Sequence, residues 1–314
     1  MKKMCYTFMC AIISVGLFSG CTQEVNEKEI TITVEGQVLT GSYTGTMRNK
    51  VPDGKGRFVS KTEERLLEYD GEWEQGNIIG NGNLKDTKYM VPFLEVNRIG
   101  EYSGEVVNGK AHGNGSFTAI NDKDEKYTYT GEWQNGLCNG QGVREYENKD
   151  YSVLTGTFKN GEFAPTKLEF IKSMGDRDAM RFAPTDKAEE FIKAHEDLFP
   201  ATDSVDLTEW IDSSIVYKNL IKSPDKYGDK LINLPNYEIT QIWENELYGY
   251  TCTEFLARAA NYDDYVYGCY LGELSNVYEG SKINIQGLPV NNSSFKNIGG
   301  GTTLCYIIYA SKIY

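Results

Sequence analysis

Four times in this chain a tyrosine is followed, eleven positions later, by a glycine that opens a Gly-x-Gly: Tyr43 with Gly54 and Gly56, Tyr69 with Gly80 and Gly82, Tyr102 with Gly113 and Gly115, and Tyr129 with Gly140 and Gly142. Each tyrosine also has a glycine two residues on, and two copies extend to Tyr-x-Gly-Glu-Trp at Trp73 and Trp133. A fixed register of this kind marks a repeat protein, so the fold has to be read from one unit. Tyr69, Gly71 and Trp73 share a strand face at period two, and Gln75-Gly76, Asn108-Gly109, Asn135-Gly136 and Asn160-Gly161 are suited to two-residue hairpin turns with positive φ. Each copy therefore reads as a β-hairpin whose returning strand begins at Gly-x-Gly. A glycine on the aromatic face leaves room for a neighbouring ring to lie flat across it, which explains glycine inside a strand despite its cost.

These residues resemble the MORN (membrane occupation and recognition nexus) repeat, with its Tyr-x-Gly-x-Trp, Asn-Gly and Gly-x-Gly. The resemblance covers roughly Gly36 to Phe170. Lys50 stands where the other copies have a turn glycine, Val106 replaces Trp in the third, and a fifth copy, Leu154-x-Gly156 to Gly161, runs into Pro165 and reads as a degenerate cap. Polar stretches such as Asn121-Asp122-Lys123-Asp124-Glu125 are inserted between hairpins. The resemblance implies an elongated twisted antiparallel sheet that acts as a scaffold or binding surface.

The N-terminus suggests an address. Lys2 and Lys3 precede a mostly apolar run from Met4 to Phe18, short for a membrane span, and then Ser19-Gly20-Cys21. Leu17 to Cys21 resembles a bacterial lipobox. That resemblance implies cleavage before Cys21, a thioether-linked diacylglycerol on its sulfur and acylation of the new amine, with Thr22 at the next position directing the protein to the outer membrane. With about 0.8 kcal/mol per buried CH₂ and more than one chain, such an anchor is stable.

The chain has 32 Lys and Arg against 45 Asp and Glu, a net charge of −13, and loss of Lys2 and Lys3 with a leader would take it to −15. No segment is basic. Nucleic-acid binding is driven by Lys/Arg neutralisation of phosphates, so nucleic acid is not expected as a partner. The same balance disfavours docking on anionic headgroups and leaves the lipid on Cys21 as the expected membrane contact.

After Phe170 the pattern changes to a helical stripe over Lys187 to Phe199, opened by Pro184-Thr185-Asp186 and stopped by Pro200. Asp203 to Thr208 is placed to cap a further short helix, and it lacks the ligand spacing of a calcium loop. From Val216 onward about five alternating segments run from Leu231 to Ile313. Pro224-x-x-Tyr227-Gly228, Glu279 to Gly287 and the closing Ile308-x-Ala310-x-x-Ile313 resemble the OB-fold domains of exported bacterial proteins. Ser281 departs from that pattern, and Pro235-Asn236 occupies the place of a bending glycine. Cys252 and Cys269 are placed to oppose each other across a hairpin near Ala260 and Asn261, either as a disulfide or as buried thiols.

The expected class is mainly β: an elongated antiparallel sheet of MORN hairpins, a short helical connector and a C-terminal OB-like barrel. The expected divisions are a leader over 1–20, an acidic tether over 21–35, the repeats over 36–170, the connector over 171–215 and the barrel over 216–314. His112 sits in the repeat pattern and His195 on the helical stripe, and the sequence has no His-x-x-x-His, Cys-x-x-Cys, Gly-x-Ser-x-Gly or phosphate loop. No enzyme activity, metal or cofactor is expected. The expected role is an envelope scaffold or binding protein whose partner is another envelope protein or a glycan, with a glycan- or peptidoglycan-binding accessory protein of an envelope enzyme as the alternative. The rows Trp73, Tyr102 and Trp133 are the candidate contact residues if their rings are open to solvent, and Cys21 is the lipidation site.

Overall fold

The computed structural model describes residues 22–34, 36–93, 96–149, 151–177, 183–260, 263–297 and 299–314. The leader and Cys21 lie outside the described residues. Eleven strands, β1 (Thr22–Val34), β2 (Gln37–Arg48), β3 (Val51–Lys61), β4 (Leu66–Glu74), β5 (Asn77–Phe93), β6 (Val96–Val107), β7 (Lys110–Ile120), β8 (Lys126–Gln134), β9 (Leu137–Tyr146), β10 (Leu154–Lys159) and β11 (Glu162–Phe163), follow chain order in one sheet. The described residues fall into two compact units. One contains those up to Thr87 with Glu105–Gly109, the other Lys88–Gly104 with Lys110–Tyr314.

In the first unit, the segment expected as a tether is strand β1, antiparallel to β2 from Thr22↔Arg48 to Val34↔Gln37. Ile30-x-Ile32-x-Val34 supplies the β-branched alternation that favours a strand, Ile32 is buried, and the Thr31 and Thr40 hydroxyls meet across the pair at 3.0 Å. The acidic residues that suggested a solvated linker lie largely on the outer face, where Glu24 accepts from Thr46 at 2.7 Å. The turns have the expected geometry, with φ of 50° and 83° at Gln75 and Gly76. Asn49 and Lys50 follow at 52° and 71°, so the copy lacking a turn glycine makes the same kind of turn with a lysine.

In the second unit the hairpin of Tyr129 repeats this design, with φ of 53° and 88° at Asn135 and Gly136. Helices α1 (Lys167–Arg177), α2 (Asp186–Ala194) and α3 (Tyr217–Lys222) follow, then strands β12 (Ile232–Leu247), β13 (Tyr250–Arg258), β14 (Tyr265–Tyr270), β15 (Lys282–Lys296) and β16 (Thr302–Ile313). Helix α2 has the expected start: the Thr185 side chain caps it by accepting from the Ala188 N–H. Asp203 to Thr208 forms turns and no helix, because the Asp206 carboxylate is taken by Thr208's own N–H and hydroxyl.

The helical segment is not a connector with a small apolar face. Leu168, Phe170, Ile171, Ala188, Ile192 and Phe199 share one buried core with Leu256, Tyr267 and Tyr309 of the strands, and the Phe199 and Tyr309 rings stack at 4.8 Å. The five strands pair in the order β12-β13-β14-β16-β15, with β15 returning to β12 and β14 parallel to β16. In β16, Tyr306, Ile308 and Ala310 face a second core with Phe255 and Ile285, while Cys305, Ile307 and Tyr309 face the helices, so the strand is buried on both sides. Strand β12 bends where Asn236 has φ 59°, between the registers Leu234↔Ile285 and Tyr237↔Ile283.

Two glycines separate the two demands on this fold. A Cβ on Gly71 would lie 2.3 Å from the Tyr69 hydroxyl and 2.7 Å from the Gly82 backbone, neither able to withdraw from a packed sheet, whereas one on Gly76 has its nearest neighbour, Val51, at 3.6 Å. Gly71→Val is therefore expected to lower stability by about 3 kcal/mol through overpacking. Gly76→Ala is expected to lose only the roughly 1–2 kcal/mol of a left-handed residue. Thermal and urea unfolding of both variants check the order, and equal losses would contradict the packing account.

Candidate functional site

The rings expected to form an exposed ladder are inside the protein. Trp73 is 2 % exposed, Tyr102 0 % and Trp133 2 %. In the first unit the Trp73 indole stands edge-on to Tyr43 at 5.6 Å and to Tyr69 at 5.2 Å, and its Nε1 donates to the Gly56 carbonyl at 2.9 Å. In the second, Trp133 stands at 5.3 Å from both Tyr102 and Tyr129 and donates to the Gly115 carbonyl at 3.0 Å. Each ring and each indole N–H is used by packing between a repeat and its predecessor, so none of the three offers a ring face to a partner.

The repeats differ instead at the end of the strands away from the Asn-Gly turns. Two residues after each Gly-x-Gly the first three copies have Phe58, Leu84 and Phe117, all buried; the fourth has Arg144. Two residues further on they have Ser60, Asp86 and Ala119, and the fourth has Tyr146. Two residues before the repeat tyrosine they have Gly41, Leu67 and Gly100, and the fourth has Tyr127. In the first unit this end is closed by the Arg65 guanidinium, bidentate on Asp86 at 2.9 and 2.6 Å and buried with it.

In the fourth repeat the same end opens into three neighbouring cavities of about 240, 450 and 710 Å³, and Tyr146 borders all of them. The Tyr127, Tyr146 and Tyr151 rings follow one another at 6.2 and 5.3 Å, tilted by 48° and 41°. Arg144 lies between the Tyr127 and Phe158 rings, 5.6 and 5.1 Å from their centroids, and its Nη2 donates to the Gly161 carbonyl at 2.8 Å. Its buried Nε has no hydrogen-bond partner among the described residues. The Cys138 thiol lies close enough to feel this cation, yet burial pushes it up to about 12.

Other parts of the chain complete the walls. The inserted loop after β7 is fixed by Asn121, whose Oδ1 accepts from the N–H groups of Lys123 and Glu125 at 2.9 and 3.0 Å. Its Asp122 is bidentate with Arg98, which holds that carboxyl below its usual range. Tyr248, from the turn between β12 and β13, closes the far side, with its ring edge-on to Phe163 at 4.9 Å.

A second cleft, of about 630 Å³, lies where the sheet ends against α1 and α2. Thr166 and Glu169 form a capping box at the start of α1, the Thr166 N–H donating to Glu169 Oε2 at 2.8 Å and the Glu169 N–H to Thr166 Oγ1 at 3.3 Å. The same carboxylate accepts from the Thr157 N–H at 3.0 Å, just after Gly156, as Glu132 accepts from the Gln141 N–H just after Gly140. A helix thus supplies at the last hairpin the carboxylate that Glu132 supplies in the fourth repeat.

Among the described residues, no three His, Cys, Asp or Glu are grouped to hold a metal ion, and no helix is long and apolar enough to cross a membrane. Cys252 and Cys269 are buried free thiols with sulfurs 3.2 Å apart. The sequence model of the MORN repeat matches residues 43–63, 69–86, 102–121 and 129–151, so the chain carries four MORN repeats. No curated protein matches the chain.

Burial would raise the Glu169 carboxyl, but hydrogen bonds from the Thr166 and Thr157 N–H groups, the Thr157 hydroxyl and Gln141 outweigh it and hold it below its ordinary value. A carboxyl depressed in the folded state stabilises above its unfolded pKa of roughly 4.3, and that contribution is lost as pH falls through the folded value. Glu169→Ala is expected to lower stability by about 1–3 kcal/mol at neutral pH. The gap to the parent should shrink as the pH is taken below about 4, which urea titrations at several pH values will read.

Proposed function

We propose that this is a lipid-anchored binding or scaffold protein of the bacterial cell envelope. Its membrane attachment is through Cys21, and its recognition surfaces are offered by the repeat sheet and the five-stranded domain. The observation that carries the reading is the run of four in-register MORN repeats, whose recurring aromatic and glycine residues are used in packing and build a surface without a reactive group. Lys2 and Lys3, the short apolar run and Ser19-Gly20-Cys21 support the anchor and an outer-membrane destination.

The pairing order β12-β13-β14-β16-β15 with its parallel β14–β16 contact supports the OB-like reading of the last domain, and Asn236 in a left-handed conformation takes the place of the bending glycine. A second reading, a glycan-binding accessory of an envelope enzyme, is favoured by the tyrosine-lined groove of the fourth repeat.

Cys21→Ala is expected to abolish incorporation of labelled palmitate and to release the protein from the membrane fraction, because only the thiol accepts the diacylglycerol. Labelling of the variant equal to that of the parent would refute the anchor.

A further inference from the structure

We propose that the groove around Tyr146 binds an acidic carbohydrate, with sugar rings lying on the tyrosines and a carboxylate meeting Arg144. The proposal rests on the binding reading above and gives it a site and a ligand class.

Arg144 is the first reason. At its position the other three repeats bury Phe58, Leu84 and Phe117, so stacking of hairpins needs an apolar side chain there and not a cation. The guanidinium has five N–H donors; Nη2 donates to the Gly161 carbonyl, the Cys138 thiol is a further partner, and the buried Nε has none among the described residues. Planar, weakly hydrated and held between two rings, it is suited to a carboxylate.

The surrounding charge agrees. Lys123 and Lys159 border the groove and are exposed. Of the carboxylates at its edge among the described residues, Asp122 is paired with Arg98, while Glu125, which accepts from Asn121 at 2.7 Å, and Glu162 keep their charge. Arg98, Lys123, Arg144 and Lys159 thus stand against Asp122, Glu125 and Glu162, a small local excess of positive charge in a chain of net charge −13, and it is centred on Arg144.

The shape favours a sugar over a peptide. Tyr127, Tyr146 and Tyr151 form a tilted run of ring faces, suited to the flat CH faces of pyranose rings. A peptide added as a strand needs an unpaired sheet edge. Here β9 is paired on both sides, to β8 and to β10. The aromatic and cationic lining would also suit single-stranded nucleic acid, which the thymidine tetranucleotide in the titration below distinguishes.

The test uses the full-length chain in detergent, titrated calorimetrically with tetragalacturonate, neutral galactotetraose, tetraglutamate and a thymidine tetranucleotide. Saturable binding of tetragalacturonate is expected, with the neutral sugar about tenfold weaker or more. Arg144→Leu, which installs the residue of the second repeat, should weaken the acidic sugar by a similar factor while keeping the parent's circular dichroism. Should that variant not fold, Tyr146→Ala decides by the same loss. The proposal is overturned by absence of saturable binding, by equal affinity for the neutral sugar, by equal or tighter binding of the peptide or nucleotide, or by unchanged affinity in a folded variant. None of these outcomes touches the anchored-scaffold reading, which is decided by palmitate labelling.

Discussion

The structure of the repeats depends on a tyrosine ring lying across a pair of glycines on adjacent strands. Tyr69 covers Gly71 and Gly82, and Tyr129 covers Gly131 and Gly142, with ring atoms where a Cβ would have to be. The Tyr69 and Tyr129 hydroxyls then turn back to the carbonyls of Glu72 and Glu132, at 3.1 and 2.8 Å, which satisfies the polar end of each buried ring. Once the ring is fixed, the tryptophan four residues on can stand edge-on between it and the tyrosine of the preceding copy. Aromatic pairs of this kind are worth about 0.5–1.5 kcal/mol beyond their burial, so the contact that defines a repeat also joins it to its neighbour.

A stack built in this way has to be ended. Strand β11 has two residues, and the next element is a helix whose first turn delivers Glu169 to the Thr157 N–H. The helix is tied in turn to the five-stranded domain, through Phe170 against Tyr250 at 5.0 Å and the Tyr250 hydroxyl on the Pro165 carbonyl at 3.0 Å. The degenerate fifth copy is thus a joint whose missing repeat residues are replaced by side chains from later in the chain.

How much of this could be read from the sequence follows from the range of the interactions. The hairpins, their turns and the glycine packing are local and periodic, and they were legible, down to Lys50 taking a glycine's place in a turn. The segment 22–34 was not, because its acidic outer face masks the Ile30-x-Ile32-x-Val34 alternation that faces in. Nor was the burial of Trp73, Tyr102 and Trp133. Period two assigns residues to a face and cannot say which face is covered, and covering depends on copies about thirty residues away. The helices were legible as helices, but their membership of the C-terminal core rests on contacts such as Phe199 with Tyr309, far apart in the chain. The groove had a signal that alignment of the copies on their glycines exposes: the fourth departs at three positions on one face, Tyr127, Arg144 and Tyr146.

The energetics of that departure bear on what it is for. Burying a leucine or phenylalanine side chain at the position of Arg144 contributes roughly 1.5–3 kcal/mol. A guanidinium between two rings recovers a comparable amount, about 0.5–2 kcal/mol for each partly desolvated contact, but it also places a half-buried charge, with an Nε that has no hydrogen-bond partner among the described residues, at the wall of the groove. Packing alone therefore gives no preference for arginine, and the unsatisfied donor makes it the poorer choice for a repeat that only has to stack. The surrounding changes point the same way. Tyrosines replace glycine, leucine, serine, aspartate and alanine, side chains that leave the end of a hairpin small or closed, and the loop from Asn121 to Glu125 adds a wall that a stacking contact does not require. These substitutions give up packing at one end of one repeat in return for a lined hollow.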